Sequence, residues 1–104
     1  MKTVITSTGD SLQSSFDLRF GRAAWLCVYD GSSGKTEFIQ NDQSEAVHGA
    51  GPRVAEKVAE AGAVRVISGD FGPKAKEILE KLGIQMVVID DAASTIQDII
   101  HKIK

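Results

Sequence analysis

The chain has 104 residues, the length of one ordinary domain, and carries a formal net charge of −2. Hydrophobic residues make up 42% of it and charged residues 25%, which excludes the compositions typical of disordered and membrane-embedded proteins. The acidic pI of about 5.6 and the lack of a basic run disfavour a nucleic-acid-binding protein. We therefore predict a single domain over residues 1–104.

The sequence also bears on where the protein is found and on what its cysteine can do. The first residues form a strand-like segment without the cationic start and apolar run of a secretory signal, and no apolar stretch reaches membrane length. These features predict a cytoplasmic protein with no membrane partner. Cys27 is the single cysteine, which excludes an internal disulfide and a cysteine cage for zinc or a conventional iron–sulfur cluster.

The first half of the chain reads as three strands. Residues 2–7 are rich in β-branched side chains and end in a turn, which predicts a buried first strand. Residues 24–30 and 35–41 are two further strand-like segments separated by the Gly-Ser-Ser-Gly sequence of residues 31–34. Their spacing predicts an antiparallel β-hairpin.

The second half alternates helices and strands. Residues 50–61 have helical apolar spacing, with Pro52 in the first turn and Gly62 as the terminator. Residues 64–68 predict a strand, and a second helix follows Pro73 and closes at Gly83. Residues 85–89 predict a last strand, and residues 94–103 predict an amphipathic helix whose isoleucines share one face.

The predicted order is β-β-β-α-β-α-β-α. Strand–helix–strand crossovers place parallel strands side by side and pack their helices on the sheet. The fold class is therefore α/β, with an antiparallel strand added by the hairpin. The longest irregular segments, residues 8–23 and 42–49, are candidates for function because long loops in compact domains are often functional.

Glycine-rich loops are predicted to converge at the carboxyl ends of the parallel strands, where open α/β sheets bind their ligands. Residues 7–11, 47–52 and 68–73 supply these loops, and Gly49, Gly51, Gly69 and Gly72 allow close approach to the backbone. Unpaired N–H groups of two helix N-termini would favour an anion there. The competing interpretation is that the glycines serve only turns, and neither loop has a dinucleotide or triphosphate fingerprint.

Several side chains are candidates for contacts in this crevice. His48 could coordinate a metal or donate a hydrogen bond to an anion, or it could be an ordinary solvated loop histidine. Arg19 and Arg22 could supply counter-charge, or could form structural ion pairs with Asp10 or Asp17.

Two enzymatic alternatives, a metal-dependent nuclease and a hydrolase, have weaker support. Asp70 belongs to the crevice, but a two-metal nuclease site with Asp10 is disfavoured because carboxylates on glycine loops more often cap helices. No nucleophile–base arrangement is apparent, so we predict no enzymatic activity. Cys27 lies in an apolar strand and is predicted to be a core residue.

Taken together, the motifs resemble the dinitrogenase iron–molybdenum cofactor biosynthesis family, which includes NifX-like carriers and stand-alone small proteins. No single motif is specific for this family, but the order and spacing of all of them across the whole chain are specific for it. The segments that carry the resemblance are Ser7-Thr8-Gly9-Asp10-Ser11-Leu12, Phe20-Gly21-Arg22-Ala23, Asn41, His48-Gly49-Ala50-Gly51, Ser68-Gly69, Gly72-Pro73-Lys74-Ala75 and Leu82-Gly83-Ile84.

The resemblance implies a three-layer α/β/α fold with a ribonuclease H-like motif, a five-stranded mixed sheet and no nuclease activity. It also implies noncovalent binding of an anionic metal–sulfur cluster, either an iron–molybdenum cofactor precursor or a molybdenum- or copper-containing sulfide. His48 is the best candidate contact, with Arg22 and the backbone of residues 69–72 behind it.

The leading hypothesis is thus a non-catalytic carrier of such a cluster. The alternative is a cofactor-free interaction or regulatory module that partners an ATPase or another cluster-assembly protein. A small enzyme acting on a phosphorylated or carboxylated metabolite ranks last, because no general base other than His48 is evident.

Overall fold

A computed structural model describes residues 1–42 and 49–104. The elements follow the predicted order of three strands and then alternating helices and strands. They are β1 (Lys2–Ser7), β2 (Trp25–Asp30), β3 (Thr36–Gln40), α1 (Ala50–Glu60), β4 (Ala63–Ser68), α2 (Pro73–Lys81), β5 (Gln85–Val88) and α3 (Ile96–Ile103).

The five strands form one mixed sheet in the order β3-β2-β1-β4-β5. The hairpin strands β2 and β3 are antiparallel to their neighbours, whereas β4 and β5 continue the sheet parallel to β1. This confirms the predicted mixed sheet, and the strand order is compatible with a ribonuclease H-like motif. Strand β1 is central, and its five residues after Lys2 are all buried.

Helices cover both faces of the sheet, which gives the predicted three layers. Val4 and Val66 point into a core with α1 and α2, whereas their neighbours Ile5 and Ile67 point into a second core with α3. Successive side chains of a strand alternate between faces, so β1 is buried on both faces, including its polar residues Thr3, Thr6 and Ser7. Among the described residues, no helix has both the length and the apolar character needed to cross a membrane.

The predicted element ends differ from the observed ones by one or two residues. The last helix was predicted to begin at Ser94 but begins at Ile96, because Thr95 is its N-cap and forms a capping box with Asp98. The last strand ends at Val88, although the Ile89 N–H still donates to the Ser68 carbonyl at 3.0 Å. The first and last residues of helices and strands are decided by local hydrogen bonds, which the spacing of apolar residues does not reveal.

The long segment between β1 and β2 is tied to the sheet and to α3. Its residues Phe16 and Ser15 form isolated bridges with Ser7 and Thr95. The N–H groups of Ile96 and Gln97 donate to carbonyls of this segment, at Ser14 and Leu12 respectively, each at 2.9 Å. The second part of the segment, from residue 17 onward, turns toward the N-termini of α1 and α2.

Candidate functional site

A cleft of about 470 Å³ lies at the carboxyl ends of β1 and β4, where α1 and α2 begin. Three backbone segments form its wall: the end of the β1–β2 connection, the N-terminus of α1 and the β4–α2 loop. The lining residues are Arg19, Phe20, Gly21, Arg22, Gly49, Ala50, Gly51, Pro52, Asp70, Gly72 and Lys74.

Neither helix N-terminus at the cleft has a capping side chain from the described part of the chain. The N-caps are Gly49 for α1 and Gly72 for α2, neither first turn contains an acidic residue, and a proline occupies each. The first main-chain bonds run from Arg53 N–H to the Gly49 carbonyl at 3.2 Å and from Lys76 N–H to the Gly72 carbonyl at 2.9 Å. The earlier N–H groups are therefore available to a ligand.

Those available donors are the N–H groups of Ala50 and Gly51 in α1 and of Lys74 and Ala75 in α2. None of them has a hydrogen-bond acceptor within residues 1–42 and 49–104. Aligned peptide dipoles add partial positive charge at each N-terminus. The two turns lie side by side, because a β-carbon placed on Gly51 would be 3.3 Å from the Ala75 β-carbon.

The N-terminus of α3 provides an internal contrast. There the first three N–H groups are all used: Ile96 donates to Ser14, Gln97 to Leu12, and Asp98 to the Thr95 hydroxyl at 3.1 Å. Asp98 also places a negative charge in the first turn. Within residues 1–42 and 49–104, side chains thus cap the helix that lies away from the cleft and cap neither helix at the cleft.

Close contacts hold the three segments together. A β-carbon on Gly21 would be 2.9 Å from the Gly51 nitrogen, so only glycine lets this segment lie against the start of α1. The buried Asn41 amide donates to the carbonyls of Gly21 at 3.1 Å and Ala23 at 2.7 Å. Phe20 packs against Phe71 of the β4–α2 loop, with ring centroids 5.0 Å apart.

The charged side chains lining the cleft are predominantly cationic. Arg19, Arg22 and Lys74 face one carboxylate, that of Asp70. Arg53 adds a further cation beside Gly49, whose β-carbon position is 3.9 Å from the Arg53 Nε. Cations in the first turn of a helix oppose its dipole, so an anion between them would relieve the repulsion.

Arg19 is oriented by an almost completely buried carboxylate. The Asp17 side chain is 4% exposed and accepts from the Arg19 Nε at 3.1 Å and from its terminal Nη2 at 3.0 Å, whereas the Arg19 side chain is 66% exposed. This hydrogen bond raises the pKa of Arg19, and the charge of Asp17 adds to the effect. The ion pair considered from the sequence is therefore present, and it holds a fixed cation at the cleft rim.

Six of the eight residues predicted for the site lie around this cleft: Arg19, Arg22, Gly49, Gly51, Asp70 and Gly72. Gly69 is not among the lining residues. A β-carbon at Gly69 would be 2.6 Å from the Leu18 β-carbon, so its glycine serves packing against the β1–β2 connection. His48, the predicted metal ligand, lies outside the described residues, as do residues 43–47.

The sequence matches the family model described as dinitrogenase iron-molybdenum cofactor over residues 1–104. The chain belongs to this family. The match spans every segment from which the resemblance was inferred, including both glycine-rich helix starts. A search of curated proteins returned no match.

Solved structures support the assignment to the iron–molybdenum cofactor family. The apo form of the orange protein from Desulfovibrio gigas is similar, with 31% identity and a TM-score of 0.91, covering 98% of this chain and 85% of that one. A candidate NifB protein from Thermotoga is similar at 30% identity and a TM-score of 0.84, with the same coverage.

Lys74 and Gly21 line the cleft in this family member but were not among the residues predicted for the site. Lys74 could have been found from the sequence, because it is a cation in the first turn of a helix that begins with Gly72-Pro73, where it opposes the helix dipole unless an anion is near. Gly21 carried no comparable signal, since its contact with Gly51 joins segments that are distant in the chain.

Direct ligation of a metal by protein side chains has little support within the described part of the chain. No group of three or more His, Cys, Asp or Glu side chains there could hold a metal ion. Cys27 is fully buried in the α3 core, and burial raises the pKa of its thiol to about 12. The described residues of the cleft thus suit a preformed anion better than a bare metal cation.

Proposed function

We propose that this chain is a non-catalytic carrier of an anionic metal–sulfur cluster, such as an iron–molybdenum cofactor precursor or a related molybdenum, iron or copper sulfide. The observation that carries the proposal is the pairing of two uncapped helix N-termini in one cation-lined cleft. Membership of a family named for the iron–molybdenum cofactor supports it. Similarity to the orange protein, described in its apo form, is consistent with a separable ligand.

The cargo would be held by electrostatic attraction and main-chain hydrogen bonds. Sulfide and oxide ligands on the surface of a cluster accept hydrogen bonds, and the Ala50, Gly51, Lys74 and Ala75 N–H groups would donate them. Glycine at positions 49, 51 and 72 leaves room for a cluster to approach these groups. A volume of about 470 Å³ accommodates a compact cluster of several metal atoms.

His48 would add a ligand or hydrogen-bond donor next to the α1 N-terminus. It directly precedes Gly49, the N-cap of α1, which lines the cleft. The neutral imidazole could coordinate an exposed metal, and the protonated ring could donate to sulfide. We assign it the role of anchor, with Arg19 and Arg22 as counter-charges.

The proposed role involves binding and release without bond making in a substrate. Such a carrier would work in the cytoplasm and meet cluster-assembly proteins, which load or unload it. An exposed cleft formed by main-chain donors suits this role, because a cargo held without thiolate bonds can leave intact.

Anaerobic loading tests this function directly. The protein is mixed with a molybdenum–iron or molybdenum–copper sulfide and passed through a desalting column, and visible absorption is measured in the protein fraction. We expect a coloured complex for the wild type and weaker binding for His48→Ala. Arg22→Gln and Lys74→Gln should each lower the affinity by about three- to tenfold, as for the loss of one charge-assisted hydrogen bond.

Lys102→Gln provides a matched control, because it removes one positive charge from α3, on the opposite face of the sheet. Its affinity for the cluster should equal that of the wild type. The proposal would be overturned by the absence of absorption in the wild-type protein fraction, or by equal affinity losses in Lys74→Gln and Lys102→Gln.

A second candidate function is a cofactor-free interaction module that partners a cluster-assembly ATPase. The edge strand β5 favours it: Val88 is 63% exposed and lies with Met86 and Phe71 in a groove that shares Asp70 with the cleft. Pull-down with a purified assembly ATPase distinguishes the two functions. Complex formation that needs Val88 but persists without any cluster would favour the module.

A further inference from the structure

A second polar pocket lies at the opposite end of the sheet from the cleft. Thr3, Tyr29 and Arg65 occupy one row across the strands, since Thr3 pairs with Tyr29 of β2 and with Arg65 of β4. They line a cavity of about 430 Å³, and the other lining residues are Met1, Gly31, Lys104 and Ile103, the last residue of α3. Helix α3 therefore ends beside this row.

The hydroxyl of Thr3 is buried but only half satisfied. Thr3 is 2% exposed, and its Oγ1 accepts a hydrogen bond from the Arg65 Nε at 3.1 Å. No acceptor for the hydroxyl proton exists among the residues that the structure describes. The Thr3 oxygen is therefore paired, and the hydroxyl keeps a proton that a ligand in the pocket could accept.

Arg65 and Tyr29 add further donors to the same cavity. Arg65 is half-buried, and no carboxylate of residues 1–42 or 49–104 lies within ion-pair distance of it. Its remaining guanidinium N–H groups have no acceptor in those ranges. The Tyr29 ring is buried, whereas its hydroxyl, which has no partner in those ranges, reaches the solvent of the pocket. Three side chains from three strands thus present donors that have no acceptor in the described part of the chain.

We propose that the Thr3–Tyr29–Arg65 pocket binds a small oxyanion, the carboxylate or phosphate group of a metabolite. Ionised oxyanions offer only acceptors, which matches a pocket of unpaired donors, and the planar guanidinium can bind two oxygens at once. The Tyr29 ring and Ile103 supply apolar walls for the part of the molecule that bears the anion.

This pocket is separate from the cleft. Thr3 and Arg65 lie near the amino ends of β1 and β4, whereas the cleft lies beyond the carboxyl ends of the same strands. The two sites share no lining residue. The inference therefore stands whether or not the cleft carries a metal–sulfur cluster.

Nuclear magnetic resonance titration tests the pocket. Inorganic phosphate and, separately, acetate are added to ¹⁵N-labelled full-length protein at constant ionic strength, with chloride as the balancing anion. We expect saturable amide shifts at Thr3, Tyr29 and Arg65 with at least one of the two anions. The more tightly bound anion identifies whether phosphate or carboxylate chemistry is preferred.

Variants then assign the contacts. Arg65→Gln should weaken binding by about tenfold or more, and Thr3→Val and Tyr29→Phe by about three- to tenfold each, because each removes one donor and keeps similar shape. Lys81→Gln removes the same charge from α2 on the other face and should leave the affinity unchanged. The absence of saturable shifts with both anions, or unchanged affinity in Arg65→Gln, would overturn the proposal.

Discussion

At the scale of single residues, burial decides which polar groups can act. Asp17 and Arg19 illustrate this, because the carboxylate is buried and the guanidinium is exposed. The buried partner accepts three hydrogen bonds from Arg19, including one from its main-chain N–H at 2.9 Å. Exposed ion pairs contribute little to stability, but this one fixes the orientation of a cation at the cleft.

Cys27 gives a residue-scale prediction about pH. Burial raises the pKa of its thiol to about 12, above the value of the unfolded chain, so the fold favours the neutral form. The stabilisation is complete below the unfolded-state pKa and is lost as the pH rises toward 12. We expect the free energy of unfolding to fall more steeply above about pH 9 in the wild type than in Cys27→Ala.

Urea unfolding over this pH range measures the difference in slope. The Cys27→Ala baseline will be lower because of the cavity, so only the slopes are compared. A second readout is alkylation by iodoacetamide, which should be slow in the folded protein and fast in urea. Rapid labelling of the folded protein would contradict the assignment of Cys27 to the core.

At the scale of elements, the three helices divide by how they begin. Helix α3 uses a capping box and two carbonyls of the β1–β2 connection, which tie its first turn to that connection. Helices α1 and α2 begin at glycines with no capping side chain. Caps typically contribute about 1 kcal/mol each, so their omission at both cleft helices costs stability where a ligand would restore it.

Adding a capping side chain to α2 should therefore raise the free energy of unfolding and at the same time weaken the binding of a cluster. Gly72 has φ −64° and ψ 157°, an extended conformation open to any residue, and a β-carbon there would contact nothing within 4 Å. We expect Gly72→Asp to raise the free energy of unfolding by about 1 kcal/mol through its cap and its charge. The same carboxylate should occupy the free N–H groups and weaken cluster binding.

Gly72→Ala is the matched control, because it adds a side chain at the same position without a hydrogen-bond acceptor. Urea unfolding and cluster loading are measured on both variants. Equal cluster binding by Gly72→Asp and Gly72→Ala would show that the α2 N-terminus does not contact the cargo.

Across the protein as a whole, the sheet separates the side that carries α1, α2 and the cleft from the side that α3 covers. Parallel strands β1, β4 and β5 place the helix starts together at their carboxyl ends, whereas α3 covers the other face. The cleft concentrates cations on a chain whose net charge is −2. Attraction of an anion is therefore local, and it opposes the overall charge of the protein.

Salt should reveal this local attraction. We expect the affinity for an anionic cluster to fall as sodium chloride rises from about 0.01 to 1 M, because screening shortens the range of charge interactions from about 30 to 3 Å. The dependence should be shallower in the double variant Arg22→Gln/Lys74→Gln, which has two fewer cations. Affinity that does not change with salt would indicate binding by coordination, with His48 as the main candidate.

Local patterns were enough to predict every element and the glycine-rich helix starts. The apolar spacing of α3 and the Pro52 and Pro73 positions depend only on neighbouring residues, so they can be read along the chain. The contact of Gly21 with Gly51 and the use of Gly69 for packing against Leu18 could not be read this way. Each depends on segments that are brought together only by the sheet.

The same distinction holds for the two sites. Residue order and periodicity sufficed to predict an α/β chain whose glycine-rich loops meet at one edge of the sheet, because hydrogen bonding and side-chain alternation within each element are local. The family was predicted from the resemblance of its motifs, and the binding of an anion in the cleft stays a prediction. Folding in three dimensions brought Gly21 against Gly51 in the cleft and aligned Thr3, Tyr29 and Arg65 in one row. Strand pairing sets which distant residues become neighbours, and its register is a property of the assembled sheet.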